Sequence, residues 1–168
     1  MAAIFILRDD LASAEKHIAS AMAIDPKLTN INYNRAELLE KQERFQEAAE
    51  AYRTELEISP QHFKASFNLS RIYRMTGRLD EEEKYLRLTM EINPEFPLSY
   101  LYLARIYLNR GQDLEEAIRL ANLGIELRPD RKDLPLGYFL LADLYSRLGN
   151  AERAADYARK GQELTRSK

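Results

Sequence analysis

The chain of 168 residues is about one domain long, and with 45% hydrophobic residues it can bury a core of ordinary size. Lys and Arg total 25 against 27 Asp and Glu, a balance that disfavours a nucleic-acid partner. No cysteine is present, which excludes disulfides and thiolate metal sites, and with only two histidines, His17 and His62, a histidine-based metal or catalytic cluster is disfavoured. We therefore expect no metal and no cofactor.

The first element is the apolar segment MAAIFILRDD, in which Ala2 and Phe5 have the spacing expected at the end of a helix. It has no basic n-region and is too short for a signal peptide or a bilayer span, so we expect a cytoplasmic chain without a membrane span. Only half a helix carries Ile4, Phe5, Ile6 and Leu7. We expect either that the chain begins inside a repeat of something longer or that this patch supports self-association.

Four of the six prolines then recur at nearly constant spacing. They end the segments AIDP, EISP, EINP and ELRP at intervals of 34, 34 and 35 residues. Three glycines, Gly77, Gly111 and Gly149, mark a turn in the middle of successive units, and the same place earlier in the chain holds Glu43 and Asp9. Between these glycines and prolines, apolar residues recur at intervals of three and four residues, which is the periodicity of a helix and not of a strand. Each unit is predicted to be helix, turn, helix, proline.

These units resemble the tetratricopeptide repeat, whose 34-residue signature runs W-x2-L-G-x2-Y, then alanine, an aromatic residue and proline. The best copy, residues 97–131, has Tyr100, Leu103-Ala104 and Tyr107 in the first helix, followed by Ala117, Ala121, Gly124 and Pro129. The resemblance covers nearly the whole chain. It implies an all-α, right-handed α-solenoid of stacked antiparallel helix hairpins, a tetratricopeptide superhelix.

The resemblance divides one domain, residues 1–168, into a partial repeat, 1–28, and four full repeats, 29–62, 63–96, 97–131 and 135–168, with a linker at 132–134. Asn32, Arg35, Glu55 and Glu82 depart from the pattern. We expect EEEK at 81–84 to be a solvated face. Gly124 and Gly161 lie inside predicted helices, where glycine is roughly 1 kcal/mol less favourable than alanine. We therefore expect another backbone to approach closely at both positions.

In this family the first helices of successive repeats line a concave groove, and the period predicts which side chains would lie there. The candidates are Tyr33, Asn34, Phe67, Asn68, Arg71, Arg74, Leu101, Tyr102, Arg105, Phe139 and Arg147. Such a groove suits a protein or peptide partner with apolar anchors and acidic side chains, and Asn34 and Asn68 could bind its extended backbone. Alternatively, the aromatic residues pack between hairpins and the arginines pair with nearby carboxylates. His17 and His62 have no predicted role, and Tyr73, Tyr107 and Tyr145 are assigned to the core.

The pattern indicates a non-catalytic interaction scaffold and not an enzyme, since it has no phosphate loop, nucleophile elbow or metal motif. Two wider contexts stay open: a substrate-recruiting segment of a larger enzyme, or a small secretion or assembly chaperone. The family's clamp for chaperone C-terminal carboxylates is disfavoured. Only Asn68 fits that clamp, because its other places hold Tyr33, Glu37, Leu98 and Tyr102.

Overall fold

The computed structural model describes residues 2–166, which form ten α-helices joined by short turns and contain no strand. The helices are α1 Ala2–Leu7, α2 Leu11–Ile24, α3 Ile31–Lys41, α4 Phe45–Ile58, α5 Phe63–Met75, α6 Leu79–Ile92, α7 Pro97–Arg110, α8 Leu114–Glu126, α9 Leu134–Arg147 and α10 Ala151–Arg166. The all-helical prediction is confirmed. Within residues 2–166 no helix is both long and apolar enough to cross a membrane.

The chain divides between Tyr85 and Leu86, within α6, into two compact units. In the N-terminal unit, residues 1–85, α1 packs on α2 and α3, α2 on α3, α3 on α4, and α4 on α5. Small residues let these helices approach closely, because Ala36, Ala48 and Ala65 are fully buried with large neighbours around them. In the C-terminal unit, residues 86–168, α7 packs on α8 and α9, α8 on α9, and α9 on α10.

The N-terminus of α3 is capped by a side chain from another helix. Glu55, on α4, is fully buried, and its carboxylate accepts hydrogen bonds from the backbone N–H groups of Asn30 at 2.7 Å and Tyr33 at 3.2 Å. Asn30 itself is left-handed, with φ of 68°, and its side chain makes no cap bond to α3. The departure of Glu55 from the repeat pattern therefore has a structural cause: it satisfies amides that a helix cannot bond internally.

The turn inside each hairpin keeps one backbone conformation whether or not it contains glycine. Gly77, Gly111 and Gly149 have φ of 71°, 65° and 73°, and Asp9 and Glu43, the polar residues in the same place, have φ of 60° and 59°. Glycine adopts this left-handed region without steric cost, and Asp does so more readily than most other residues. The shared conformation explains why the period continues through turns that lack glycine.

Leu101 is wrongly predicted as a groove residue. Its side chain is fully buried in the C-terminal unit, where it packs over two helical glycines. A Cβ added at Gly124 would lie 2.6 Å from Leu101 Cδ2 and 3.2 Å from the carbonyl oxygen of Pro97, and one at Gly137 would lie 3.3 Å from the same Cδ2. The expected close approach at Gly124 thus involves a buried leucine as well as backbone.

The expected close approach at Gly161 has a different neighbour from the one predicted. The three atoms nearest to a Cβ added at Gly161 all belong to the ring of Phe139, at 2.8 to 3.1 Å, and none of them is a backbone atom. The prediction for EEEK at 81–84 is wrong for Glu82, which is 2% exposed. Tyr73 is buried as predicted, whereas Tyr107 and Tyr145 are only half-buried.

The apolar N-terminal patch is smaller than the sequence suggests. Ile6 is buried in the core of the N-terminal unit, and the ring of Phe5 stacks on His17 with centroids 4.9 Å apart. Only Ile4, at 49% exposure, and Leu7, at 86%, project outward. Self-association through all four residues would therefore require α1 to leave its own core.

Candidate functional site

A groove of about 800 Å³ opens on one face of the N-terminal unit. It is bounded by α1, α3 and α5, the first helices of successive predicted repeats. Its lining residues are Ala3, Ile6, Leu7, Asn30, Tyr33, Asn34, Glu37, Glu40, Lys41, His62, Lys64, Asn68 and Arg71. The α1 side is apolar, whereas the α3 and α5 sides are polar and charged.

Helical periodicity explains why each helix presents several of these side chains together. On α3, Tyr33, Glu37 and Lys41 are spaced by four, and residues at this spacing share one helix face. Contacts join both ends of α3 to α5: the side chain of Asn30 contacts that of His62, and Glu40 pairs with Arg71. The two helices therefore run parallel.

The floor of the groove is a connected set of hydrogen bonds. Tyr52, buried on α4, donates its hydroxyl proton to Glu40 Oε1 at 2.6 Å. Its oxygen then accepts from Asn68 Nδ2 at 3.0 Å, and the same amide nitrogen donates to the hydroxyl of Tyr33 at 3.3 Å. Because a carboxylate only accepts, the direction of the Tyr52 bond fixes the orientation of the Asn68 amide.

Burial controls the ionisation of this floor. It raises the pKa of Tyr52, an effect that the nearby Glu40 carboxylate reinforces. Burial is also the main cause of the raised pKa of Tyr33, and the hydrogen bond with Glu37 raises that pKa further. Both hydroxyls therefore stay protonated and able to donate at neutral pH. Burial also raises the pKa of Glu40, against the opposing effects of the Tyr52 hydrogen bond and of Arg71.

His62 has a structural role that the sequence analysis missed. Its Nδ1 accepts a hydrogen bond from the backbone N–H of Ala65 at 3.1 Å and caps α5, so its Nε2 carries the proton and donates to Asn30 Oδ1 at 2.9 Å. The ring also stacks on Tyr33, with centroids 4.7 Å apart. The available signal was position: His62 immediately precedes the first residue of a predicted helix, where capping side chains lie.

The cations of the groove differ in what they contact. Arg71 Nη2 donates to Glu40 Oε2 in a charge pair, and Lys41 Nζ lies 3.3 Å from Asp9 Oδ1. Lys64 is exposed and has no ion-pair partner among residues 2–166. Residue type alone predicts Arg71 as the groove cation and not Lys64, because charge does not show which cation a neighbour already neutralises.

The two asparagines of the groove also differ. Asn68 uses its amide hydrogens on two tyrosine hydroxyls, which leaves its carbonyl oxygen as the group to offer. The side chain of Asn34 makes no hydrogen bond within the described part of the chain and is half-buried at the groove surface. Asn34 can therefore both donate and accept, whereas Asn68 can only accept.

Of the eleven predicted site residues, the groove brings together four: Tyr33, Asn34, Asn68 and Arg71. Phe67 and Arg74, in the same unit, are half-buried and lie outside its lining. Within residues 2–166, no group of His, Cys, Asp and Glu side chains is placed to hold a metal ion.

The remaining predicted residues belong to the C-terminal unit, where local contacts engage them. The guanidinium of Arg105 lies over the ring of Tyr102, 4.6 Å from its centroid. Phe139 packs on Gly161 and keeps 37% exposure, and Arg147 is exposed with its Nη1 beside Gly111. Phe139 therefore fits the alternative of aromatic packing as well as it fits a groove role, whereas the contact of Arg105 with the Tyr102 ring is not the carboxylate pairing that the alternative expects.

The geometry agrees with comparisons to known proteins. Solved structures that superpose on the chain include MamA, with a TM-score of 0.83 at 15% identity over 99% of this chain and 95% of that one. A MamA fragment from Desulfovibrio magneticus RS-1 gives 0.81 at 19% identity over 99% and 92%. YrrB, described as a TPR protein with an unusual peptide-binding site, gives 0.79 at 16% identity over 99% and 84%. These likenesses show the fold.

Sequence comparison establishes the family. No curated protein matches the chain. Two family models, each described as tetratricopeptide repeat, match residues 33–95 and 137–168, together more than half of the sequence. Repeats of this family generally serve protein interaction through extended concave surfaces. The chain belongs to the tetratricopeptide-repeat family.

Proposed function

We propose that this chain is a non-catalytic interaction module that binds a peptide segment of a partner protein in the groove between α1, α3 and α5. One observation carries the proposal. The groove offers an open amide, Asn34, and an open cation, Lys64, above a floor whose polar groups already bond one another. A groove built only for internal packing has no need of either open group.

The bonded floor favours binding because it is already ordered. Tyr33, Tyr52, Asn68 and Glu40 hold one another in place before any ligand arrives. Preorganised side chains lose little rotamer freedom on association, and this cost is about 0.5–1.5 kcal/mol for each mobile side chain that binding immobilises. The likeness in fold to YrrB, whose structure is described by its peptide-binding site, supports a peptide as the ligand.

The groove cation that is available to a ligand is Lys64 and not Arg71. The charge of Arg71 is shared with Glu40, so Lys64 provides the cation for an acidic side chain of the ligand. The two wider contexts, a recruiting segment of an enzyme and a secretion or assembly chaperone, would use the same groove. The identity of the captured partner separates them.

A phage-displayed library of random 16-residue peptides tests the proposal. The protein is compared with the double variant Asn34→Ala/Lys64→Ala, which removes both open groups without touching the floor. The matched control is Lys16→Ala/Gln46→Ala, which truncates an exposed lysine and an exposed amide on α2 and α4, outside the groove lining. Circular dichroism checks that all three proteins keep their helix content.

We expect peptides enriched on the wild type to bind it and the control equally and to lose at least tenfold in affinity for the groove variant, measured by fluorescence anisotropy with synthetic peptides. The proposal is wrong if no peptide is enriched, or if the enriched peptides bind the groove variant as well as the wild type.

A further inference from the structure

We infer that the ligand of this groove is an extended peptide that carries an apolar side chain and a carboxylate side chain about seven residues apart, and that it lies diagonally from α1 to the start of α5. The inference rests on the proposed function and adds the conformation, the path and the sequence pattern of the ligand. The carboxylate binds Lys64, and the apolar side chain binds the exposed face of α1 at Leu7.

The extended conformation follows from the amides that the groove leaves open. Asn34 offers a donor and an acceptor, and Asn68 offers an acceptor. A helical ligand has already paired its backbone N–H and C=O groups internally, so such amides would gain little from it. An extended peptide presents both groups unpaired, and a side-chain amide can bond them together.

The diagonal path follows from where the two ends of the groove lie along the helices. The repeat period places Leu7 level with Lys41 on α3 and Met75 on α5, and the ion pair between Lys41 and Asp9 agrees with that register. Lys64 lies eleven residues before Met75, at the opposite end of α5. Between these levels, seven residues before Lys41, α3 presents Asn34 to the groove.

The spacing follows from helix dimensions. Two interhelical steps of about 9 Å separate α1 from α5. Eleven residues of helix rise about 16 Å, so the diagonal is about 24 Å. An extended chain covers about 3.3 Å per residue, which places the two anchoring side chains about seven residues apart.

Charge assigns the acidic anchor to the α5 end. Glu37 lies beside Asn34 on the middle helix and would repel a carboxylate there, since it has no ion-pair partner among the described residues and bonds only with Tyr33. At the other end α1 contributes Ala3, Ile6 and Leu7, with Leu7 86% exposed, and the charge of Lys41 at the same level is paired with Asp9. An apolar side chain is therefore favoured at α1, and a carboxylate at Lys64.

The peptide library described above tests this pattern when it is also panned on Lys64→Glu and Leu7→Asp. We expect the wild-type pool to enrich a large apolar residue six to eight positions from Asp or Glu. On Lys64→Glu the acidic position should become Lys or Arg at unchanged spacing, and on Leu7→Asp the apolar preference should be lost. In a selected synthetic peptide, replacing the acid by its amide should weaken binding to the wild type about threefold and leave binding to Lys64→Ala unchanged.

Two results would overturn the inference while leaving the groove's function intact. One is a set of peptides that require Asn34 and Lys64 for binding but lack the apolar-to-acidic spacing, or whose acidic position does not become Lys or Arg on Lys64→Glu. The other is a set with apolar residues at three- and four-residue spacing, which would indicate a bound helix. If no enriched peptide depends on Asn34 and Lys64, the proposed function fails as well.

Discussion

The hydroxyl of Tyr52 donates a 2.6 Å hydrogen bond to the carboxylate of Glu40, and this contact joins the core of the N-terminal unit to the floor of its groove. Tyr52 is fully buried on α4, whereas Glu40 lies on α3 at the groove surface. The same hydroxyl accepts from Asn68 on α5. The hydroxyl oxygen of Tyr52 thus makes hydrogen bonds that link α3, α4 and α5, so a change at this atom should affect both the groove and the stability of the fold.

Tyr52→Phe should destabilise the protein by about 2 kcal/mol, because it leaves Glu40 Oε1 and Asn68 Nδ2 without this partner in a partly buried site. Urea unfolding followed by circular dichroism measures the loss. The control is Tyr73→Phe, since the Tyr73 ring is buried but its hydroxyl makes no hydrogen bond among residues 2–166. The control should lose less than about 0.5 kcal/mol. Equal losses would show that the shared hydroxyl contributes no stability of its own.

Glu40 and Glu47 should titrate on opposite sides of the ordinary glutamate value of 4.5. Burial raises the pKa of Glu40, whereas the hydrogen bond from Arg44 lowers the pKa of Glu47. Nuclear magnetic resonance of the two side-chain carboxyl carbons against pH measures both midpoints. A Glu40 midpoint below 4.5 would mean that Arg71 and Tyr52 outweigh burial.

The sign of the Glu40 shift has a consequence for stability. A raised pKa means that the folded state holds this proton more tightly than the unfolded chain does. The stabilising contribution of Glu40 is therefore fully present below pH 4.5 and is lost as pH rises through its folded pKa. Unfolding experiments from pH 4 to 7 should show the stability of the wild type falling relative to that of Glu40→Gln.

The repeat period predicted the helices and their turns well because it reports spacing along one chain. It predicted the groove less well, because exposure depends on neighbours that the period does not specify. Leu101 has the register of Tyr33, yet two helical glycines create the space that buries it. Lys64 and Arg71 are equally cationic in sequence, and only the position of Glu40 distinguishes them. Glu55 departs from the repeat pattern, and the sequence alone shows only that departure. Its hydrogen bonds to the N–H groups of Asn30 and Tyr33 are what reveal its capping role.

Glu55→Ala should cost about 2 kcal/mol in the free energy of unfolding, because the N–H groups of Asn30 and Tyr33 would lose their acceptors. Glu55→Gln keeps one oxygen and should lose roughly half as much. Urea unfolding compares both with Glu57→Ala, an exposed glutamate on the same helix that should change stability by less than about 0.5 kcal/mol. A loss no larger than that of Glu57→Ala would contradict the capping role.

Gly124→Ala and Gly161→Ala should change stability in opposite directions, although both glycines lie inside helices where alanine gains about 1 kcal/mol of propensity. At Gly124 the new Cβ would lie 2.6 Å from Leu101, which is fully buried and cannot retreat. Overpacking costs about 1–3 kcal/mol, so the net loss after the propensity gain should be up to about 2 kcal/mol. At Gly161 the obstacle is the ring of Phe139, which is 37% exposed and can swing toward solvent, so the propensity gain should prevail. Urea midpoints of the two variants test this difference. If both variants were stabilised, Leu101 would yield as easily as Phe139 and packing would not require the glycine of α8; if both were destabilised, the Phe139 ring would be unable to move aside.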